Sequence, residues 1–394
     1  MGAVYTPGQY DVVELKNRLD AIEYGLTQRA LESGPITSVE EQQDWTGKVM
    51  EASFGKNTVK FDDLGYPSVM VKIGAFQTKD VLDGAADGLH PAFIVENSIK
   101  PNIYIGKYQA TTLRSGGAAR AVSLKNTNQT VLINFTDAAT SCTAKGPGWH
   151  AMTNAEWAAI ALWCRKNGHM PRGNNSYGKD YTETEYIATP ASRDDKKITR
   201  VLTGTGPLSW THDGSPFGIY DLNGNVHEWV DGVKLMNGCI YMFQNNSFST
   251  GNVTGSIDGW INTGLYLDNT LPGNDLKDSS YVEGNPIINS SLENPIYTPD
   301  PSSNENYQLS RCKFQELTAK EGITIPEYMK ALALFPADDG SYANDYIYMR
   351  NYGERVAFRG GAYDATTAAG VFSIRFNTTS GNSYNFGFRL AYIR

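Results

Sequence analysis

The chain has 394 residues, enough to bury a large core and to form more than one structural unit. A net charge of −8 speaks against a nucleic-acid partner held by a basic surface, and no run of about 18 apolar residues offers a membrane span. With 23 Tyr and 39 Gly, the composition suits a loop-rich protein with many tight turns.

In chain order, Val12, Leu15, Leu19, Ile22 and Leu26 recur at spacings of three and four, which predicts a helix over 11–31. Ser33-Gly34-Pro35 ends it. Such a seam fits a helix packed on its own domain, or an oligomerising or attachment stalk; residues 1–35 form this first unit. Residues 36–88 read as a small β-rich module. Thr58–Phe61 and Ser68–Ile73 alternate as strands around the turn Asp62-Asp63-Leu64-Gly65.

A larger domain spans 89–394. His90–Val95 and Asn102–Tyr108 read as two opening strands. Thr153 and Glu156 form a capping box at the start of a helix that ends at Asn167-Gly168. Residues 171–216 are polar and Gly-rich, the mark of a long ordered loop. Phe217 to Val230 is rich in aromatic and aliphatic residues and suits a buried core, in which Glu228 needs a partner. Residues 233–350 read as an insertion of loops with one helix, from Pro326 to Leu334.

Cys142, Cys164, Cys239 and Cys312 are far apart and lack metal spacing, so they are buried free thiols or one structural disulfide. The five histidines are dispersed, and no phosphate loop, dinucleotide fingerprint, HExxH or nucleophile elbow occurs.

The carboxyl-terminal stretch 355–394 is the most informative. Phe358-Arg359-Gly360-Gly361 suits a strand entering a close backbone contact, Val371–Phe376 is a second short strand, and Phe386–Tyr392 alternates as a terminal strand. Between them lie small and polar residues with Tyr. That composition fits an adaptable binding surface or a polar loop closing a β-domain.

The RGG…GVF…GFR pattern resembles the variable region of diversity-generating retroelement variable proteins, which have a C-type lectin-like fold of the formylglycine-generating-enzyme type. The ThrAsnAlaGluTrp helix start (Thr153–Trp157) and Gly218–Trp229 resemble further motifs of that fold, so the likeness runs from about His90 to Arg394. The resemblance implies an α+β fold of this lectin-like subtype, preceded by the short helix and the β module. In that family a reverse transcriptase rewrites adenine positions of a gene segment, and the altered side chains sit on a fixed backbone.

Carried onto this sequence, the variable, ligand-binding residues would be Tyr363, Asp364, Ala365, Thr367, Ala368, Ser373, Arg375, Asn377, Asn382, Ser383 and Tyr384, with Tyr363, Arg375 and Tyr384 as anchors. Phe358, Gly360, Gly361, Phe386, Gly387 and Phe388 would be framework. Relatives of the fold bind calcium at the second motif; the corresponding ligands are Asn223, Gly224, Val226 and Glu228. Alternatively, Glu228 takes backbone N–H groups or pairs with Arg359 or Arg389. His227 stands where the family commonly has Trp and reads as a packed histidine. No cofactor is required; a structural calcium is one of these two readings of Glu228.

The enzymes of the fold use a pair of cysteines after the RGG-like strand, and 355–394 contains no Cys. The expectation is therefore a non-enzymatic protein whose partner is a cell-surface protein or glycan. No leader pattern or lipobox-like Cys is read near the amino terminus. This favours a virion component, a trimeric phage tail-fibre receptor-binding protein, over a bacterial surface protein. Two alternatives remain: an ordinary carbohydrate-binding or structural module of the fold, without hypervariation, and a formylglycine-generating-enzyme-like enzyme acting on a protein or small thiol, against which the missing cysteine pair counts.

Overall fold

The computed structural model describes residues 11–115, 117–185, 188–272, 284–296 and 309–394. The amino-terminal seam forms helix α1 (Val12–Ser33), capped by the Asp11 carboxylate, which accepts the Val13 N–H. Its residues Leu15, Leu19 and Leu26 are buried against this chain itself. They meet α2 (Val39–Ala52), the hairpin of β1 (Asn57–Phe61) and β2 (Pro67–Gly74), and the rings of Tyr108, Phe217 and Tyr220. Of the two readings of the seam, packing on its own domain describes these residues.

Residues 36–88 are not a separate β module. They hold α2 as well as two strands, and β2 pairs with β3 (Asn102–Gly106) from Met70↔Gly106 to Gly74↔Asn102. The sequence hid α2 because only Val49 and Ala52 on it are buried, while Glu40, Glu41, Gln42, Gln43 and Asp44 crowd its first half. The stretch before β3 also differs from expectation. His90 caps a 3-10 turn over Pro91–Phe93, and only Ile94–Val95 extends, pairing with Ser98–Ile99. Pro91 fixes φ and lacks an N–H, so it starts a turn more readily than a strand.

Next come α3 (Phe135–Thr143), β4 (Trp149–Ala151) and α4 (Asn154–Lys166), the last with the expected Thr153–Glu156 capping box. Apart from the short pairs Thr111–Ser115 with Ala118–Val122 and Arg193–Asp194 with Lys197–Ile198, the chain goes on with β5 (His227–Met236), β6 (Cys239–Met242), β7 (Ile261–Asn269), β8 (Pro286–Asn289), β9 (Ser310–Lys313) and β10 (Thr318–Ala319). They continue with β11 (Tyr346–Met349), β12 (Glu354–Gly360), β13 (Gly370–Asn377), β14 (Phe386–Phe388) and β15 (Leu390–Tyr392). Thus 233–350 is no loop-only insertion: it supplies β6 to β11. A short helix, Glu327–Ala331, lies within the expected span.

Two sheets result. The smaller runs β1-β2-β3-β15-β4, and the larger runs β9-β11-β13-β12-β5-β6-β7-β8-β10, with β14 parallel to β5. The expected terminal strand is therefore two strands in two sheets, and the chain changes sheet at Arg389. The larger sheet has a core on each face. Ala357, Phe372, Ile374 and Phe376 pack with Trp157 and Ile160 of α4, and Trp229, Phe358, Phe386 and Phe388 pack with Phe135 and Ala138 of α3. The fold is α+β.

Candidate ligand-binding site

The framework residues are held where the sequence placed them. Phe358, Phe386 and Phe388 are buried, and Phe358 meets Trp229 edge-on at 4.8 Å and Phe386 at 4.8 Å. Gly361 has φ +77, and a Cβ there would stand 2.5 Å from the Ala369 Cβ, so only glycine lets β12 turn towards β13. A Cβ at Gly387 would stand 2.7 Å from Val226 Cγ2. His227 is packed, its ring 4.7 Å from Phe358, and burial with the nearby Arg375 charge pushes its pKa down to about 3.

Around this frame the proposed contact residues fall in three places. Tyr363, Asp364, Ala365 and Thr367 lie on the connection from β12 to β13, and all four are at least partly exposed. The Tyr363 ring stands 5.7 Å from Tyr177, and its carbonyl accepts the Tyr177 N–H at 2.8 Å. Arg375 and Asn377 project from β13 and are half-buried. Asn382, Ser383 and Tyr384 lie on the crossover from β13 to β14, where Tyr384 is 67% exposed. That crossover rests on the loop before α3, through Leu132 N–H to Ser383 O at 3.0 Å and Phe135 N–H to Thr379 O at 3.2 Å.

Ala368 and Ser373 are exceptions, at 8% and 3% exposure, and cannot present a side chain as they stand. Ala368 closes the 3-10 turn Thr366–Ala368 inward, and Ser373 is a small residue beside β11, one step along the register from Ile347↔Ile374.

The structure adds residues that the sequence reading missed. Pairing across β9, β11, β13, β12, β5 and β14 places Arg311, Tyr348, Arg375, Phe358, Trp229 and Phe388 in one cross-sheet row. The inner three are buried under α3. The outer three are exposed or half-buried. Tyr346 stands beside Tyr348, ring centroids 5.7 Å apart, and pairs with Lys313. The alternation Tyr-Ile-Tyr-Met at 346–349 signals a strand with one aromatic face, but nothing local says that it pairs with β13.

The residues at the second motif do not fit a calcium ion. The carbonyls of Asp221, Gly224 and Val226 and the Glu228 Oε1 do converge, but the Gln109 Nε2 lies among them, at 3.1, 3.4, 3.3 and 3.0 Å. The Gln109 Oε1 accepts the Asn225 amide at 2.9 Å, which fixes the orientation of the group. Glu228 is spanned by Arg389, at 2.9 Å from Nε and 2.8 Å from Nη2. Asn223 turns away, its Oδ1 accepting the Asn175 amide at 3.1 Å. Glu228 thus has the alternative partner Arg389, while Arg359 instead holds Asn154 Oδ1 at 2.6 Å. Burial raises the neighbouring Asp221 carboxyl to about 6.

All four cysteines are free and buried, and burial raises each thiol's pKa, that of Cys142 to about 12. Among the described residues, no three of His, Cys, Asp and Glu come together as a metal-binding group.

No protein-family model and no curated protein matches the chain. Solved structures similar to it include PvdO from Pseudomonas aeruginosa, at 13% identity over 86% of this chain and 98% of that one, TM-score 0.34. Treponema denticola variable protein 1 aligns at 13% identity over 85% and 98%, TM-score 0.30. The Major Tropism Determinant P3c variant aligns at 9% over 83% and 64%, TM-score 0.28. At these identities and TM-scores the likeness carries no argument about what the chain does.

Proposed function

We propose that the chain is a non-enzymatic ligand-binding protein whose stiff framework displays exchangeable side chains, diversified by a retroelement. One observation carries the reading. The framework residues Phe358, Gly360, Gly361, Phe386, Gly387 and Phe388 are buried or sterically locked, whereas nine of the eleven candidate contact positions keep exposed surface. Such a division lets side chains change without moving the main chain. The absence of Cys from 355–394, and thiols held protonated elsewhere, support a binding rather than a thiol-redox role.

The finer reading is a receptor-binding protein on a phage tail, in several copies, so that weak single contacts add up on a cell surface. A structural cation at Glu228 is not part of it. The partner would be a surface protein or glycan.

The test is a library randomised at the nine exposed positions, Tyr363, Asp364, Ala365, Thr367, Arg375, Asn377, Asn382, Ser383 and Tyr384. Most members should fold within about 1 kcal/mol of the parent, and selection should yield binders to unrelated targets. A library that mostly unfolds would mean that these positions are structural. At the gene locus, a near-copy of the codons for 355–394, differing at adenines and beside a reverse-transcriptase gene, is expected.

A further inference from the structure

We infer that a cleft between β2 and α4 binds a small phenol, a single aromatic ring carrying one hydroxyl group. The cleft holds about 220 Å³ and none of the residues lining it belongs to 355–394. The inference therefore goes beyond the display reading and does not rest on it. Pockets for drug-sized ligands run from roughly 300 to 1,000 Å³, so this smaller one suits a single ring.

The walls are apolar. Val71 of β2 and Ala159 and Ile160 of α4 are buried, while Ile73, Phe76 and Trp163 are half-buried and still carry uncovered apolar surface. Phe76 is held edge-on against Phe93 at 4.9 Å, and the Trp163 ring stands 5.4 Å from that of His212. Such ring faces and edges suit an aromatic ligand.

His212 supplies a hydrogen-bond donor. It is only 6% exposed and is locked in place. Its main-chain N–H donates to Ile219 O at 2.9 Å, its carbonyl accepts the Cys164 thiol at 3.2 Å, and its Nδ1 accepts the Ile219 N–H at 2.9 Å. An accepting Nδ1 puts the ring proton on Nε2, and burial, by lowering the pKa, keeps the ring neutral. Among the described residues Nε2–H has no protein acceptor, so the cleft is lined by a largely buried donor that a ligand oxygen can satisfy.

Asp213 supplies the acceptor beside it. Its Oδ1 lies 3.9 Å from the His212 Nδ1 and accepts the Ser215 N–H at 2.9 Å, and its Oδ2 accepts the Ser215 hydroxyl at 2.8 Å. An ionised carboxylate has about four acceptor sites, so it can take a further donor. A donor and an acceptor side by side complement a hydroxyl, which accepts from Nε2–H and donates to the carboxylate. A carboxylate ligand would instead face the Asp213 charge, and an ether oxygen would have no proton to give it. Lys56 also borders the cleft, its ammonium 5.6 Å from the Phe217 ring centroid, and takes no part in these two hydrogen bonds.

The experiment titrates the full chain with p-cresol, followed by ligand-observed NMR and by tryptophan fluorescence, beside toluene, p-methylanisole and p-toluate. Cresol should bind at least about tenfold more tightly than any of the three. Asp213→Asn should weaken cresol by about the same factor and bring it level with the ether. Ile73→Trp fills the cleft from its half-buried side and should abolish binding with the melting temperature kept. Trp163→Phe should bind cresol nearly as the parent does but lose the fluorescence change.

Absence of cresol binding, equal or tighter binding of toluene, the ether or the carboxylate, or unchanged cresol affinity in Asp213→Asn or Ile73→Trp would each overturn the assignment. So would a fluorescence change that survives in Trp163→Phe, since the ligand would then sit elsewhere. Should Ile73→Trp not fold, the comparison ligands on the parent chain and Trp163→Phe decide by themselves. The display reading stands or falls with its own library, whatever cresol does.

Discussion

At the scale of single residues, the most telling side chain is Gln109, remote in sequence from the motif it completes. Its amide hydrogens satisfy oxygens that would otherwise face one another, and its nitrogen occupies the space a cation would need. The melting temperature should therefore be the same in chelator and in millimolar calcium. Gln109→Ala should cost about 1–3 kcal/mol, since it leaves buried acceptors unpaired. It also opens a cage of oxygens, so part of that loss should return on adding calcium. A calcium-dependent melting temperature in the parent chain would show the cage to be a cation site after all. Gly361 sets the opposite extreme from the display positions. Gly361→Ala adds a Cβ 2.5 Å from another at φ +77 and should cost on the order of 2 kcal/mol. Asp364→Ala or Thr367→Ala, on exposed positions next to it, should stay within about 0.5 kcal/mol by urea unfolding.

At the scale of elements, β5 shows how one packed histidine sets pH dependence. In the unfolded chain His227 takes a proton near its ordinary value of 6.5; in the fold, burial and Arg375 hold it down to about 3. As pH falls below 6.5 the unfolded state gains a proton that the folded state refuses, so stability is lost on acidification. His90, lowered to about 4 by burial, acts in the same direction, whereas Asp221 and Asp231, raised to about 6, oppose it between about pH 6 and 4. His227→Phe keeps the ring contacts with Phe358 and Phe386 and removes one titration. Between pH 7 and 5 it should lose about 2 kcal/mol less than the parent does, by urea unfolding. Parallel losses would mean that His227 does not stay neutral in the fold. The elements also explain what could be read in advance. Helices α1 and α4 were legible from spacing and caps, and β12 to β14 from the glycine and aromatic frame. Helix α2 was not, because its exposed polar face dominates its composition. Strands β6 to β11 were not, because the Asn-, Ser- and Gly-rich links between them outweigh four-residue runs such as Ser310–Lys313. So the candidate surface on 355–394 was visible, and its neighbour β11 was not, since only long-range pairing brings Tyr348 beside Arg375.

At the scale of the whole molecule, the question is whether the amino-terminal helix serves assembly or the fold. Glu23 of α1 is fully buried, accepts Lys107 Nζ at 2.8 Å and takes the Tyr108 hydroxyl. Lys107 also meets Asn57 Oδ1 at 3.1 Å and Pro216 O at 2.9 Å, and Thr27 donates to Lys125 O at 3.0 Å. The helix thus ties together β1, the end of β3 and the loop before Phe217. Removing one partner of a buried ion pair costs about 3–5 kcal/mol, because the remaining charge stays desolvated. Glu23→Ala should therefore lower stability by that order, and deletion of residues 1–35 by more, since it also uncovers Val49, Val59 and Phe217. The buried face of the helix is used up within the chain, so if several copies assemble, Glu23→Ala should leave the sedimentation coefficient unchanged while the melting temperature falls. Exposed positions on the helix, such as Val13 and Leu31, separate the two roles further. Val13→Asp with Leu31→Asp should leave the melting temperature nearly unchanged. Should that pair instead dissociate an oligomer seen in the parent, the outer face of the helix is a subunit contact as well, and the helix serves both.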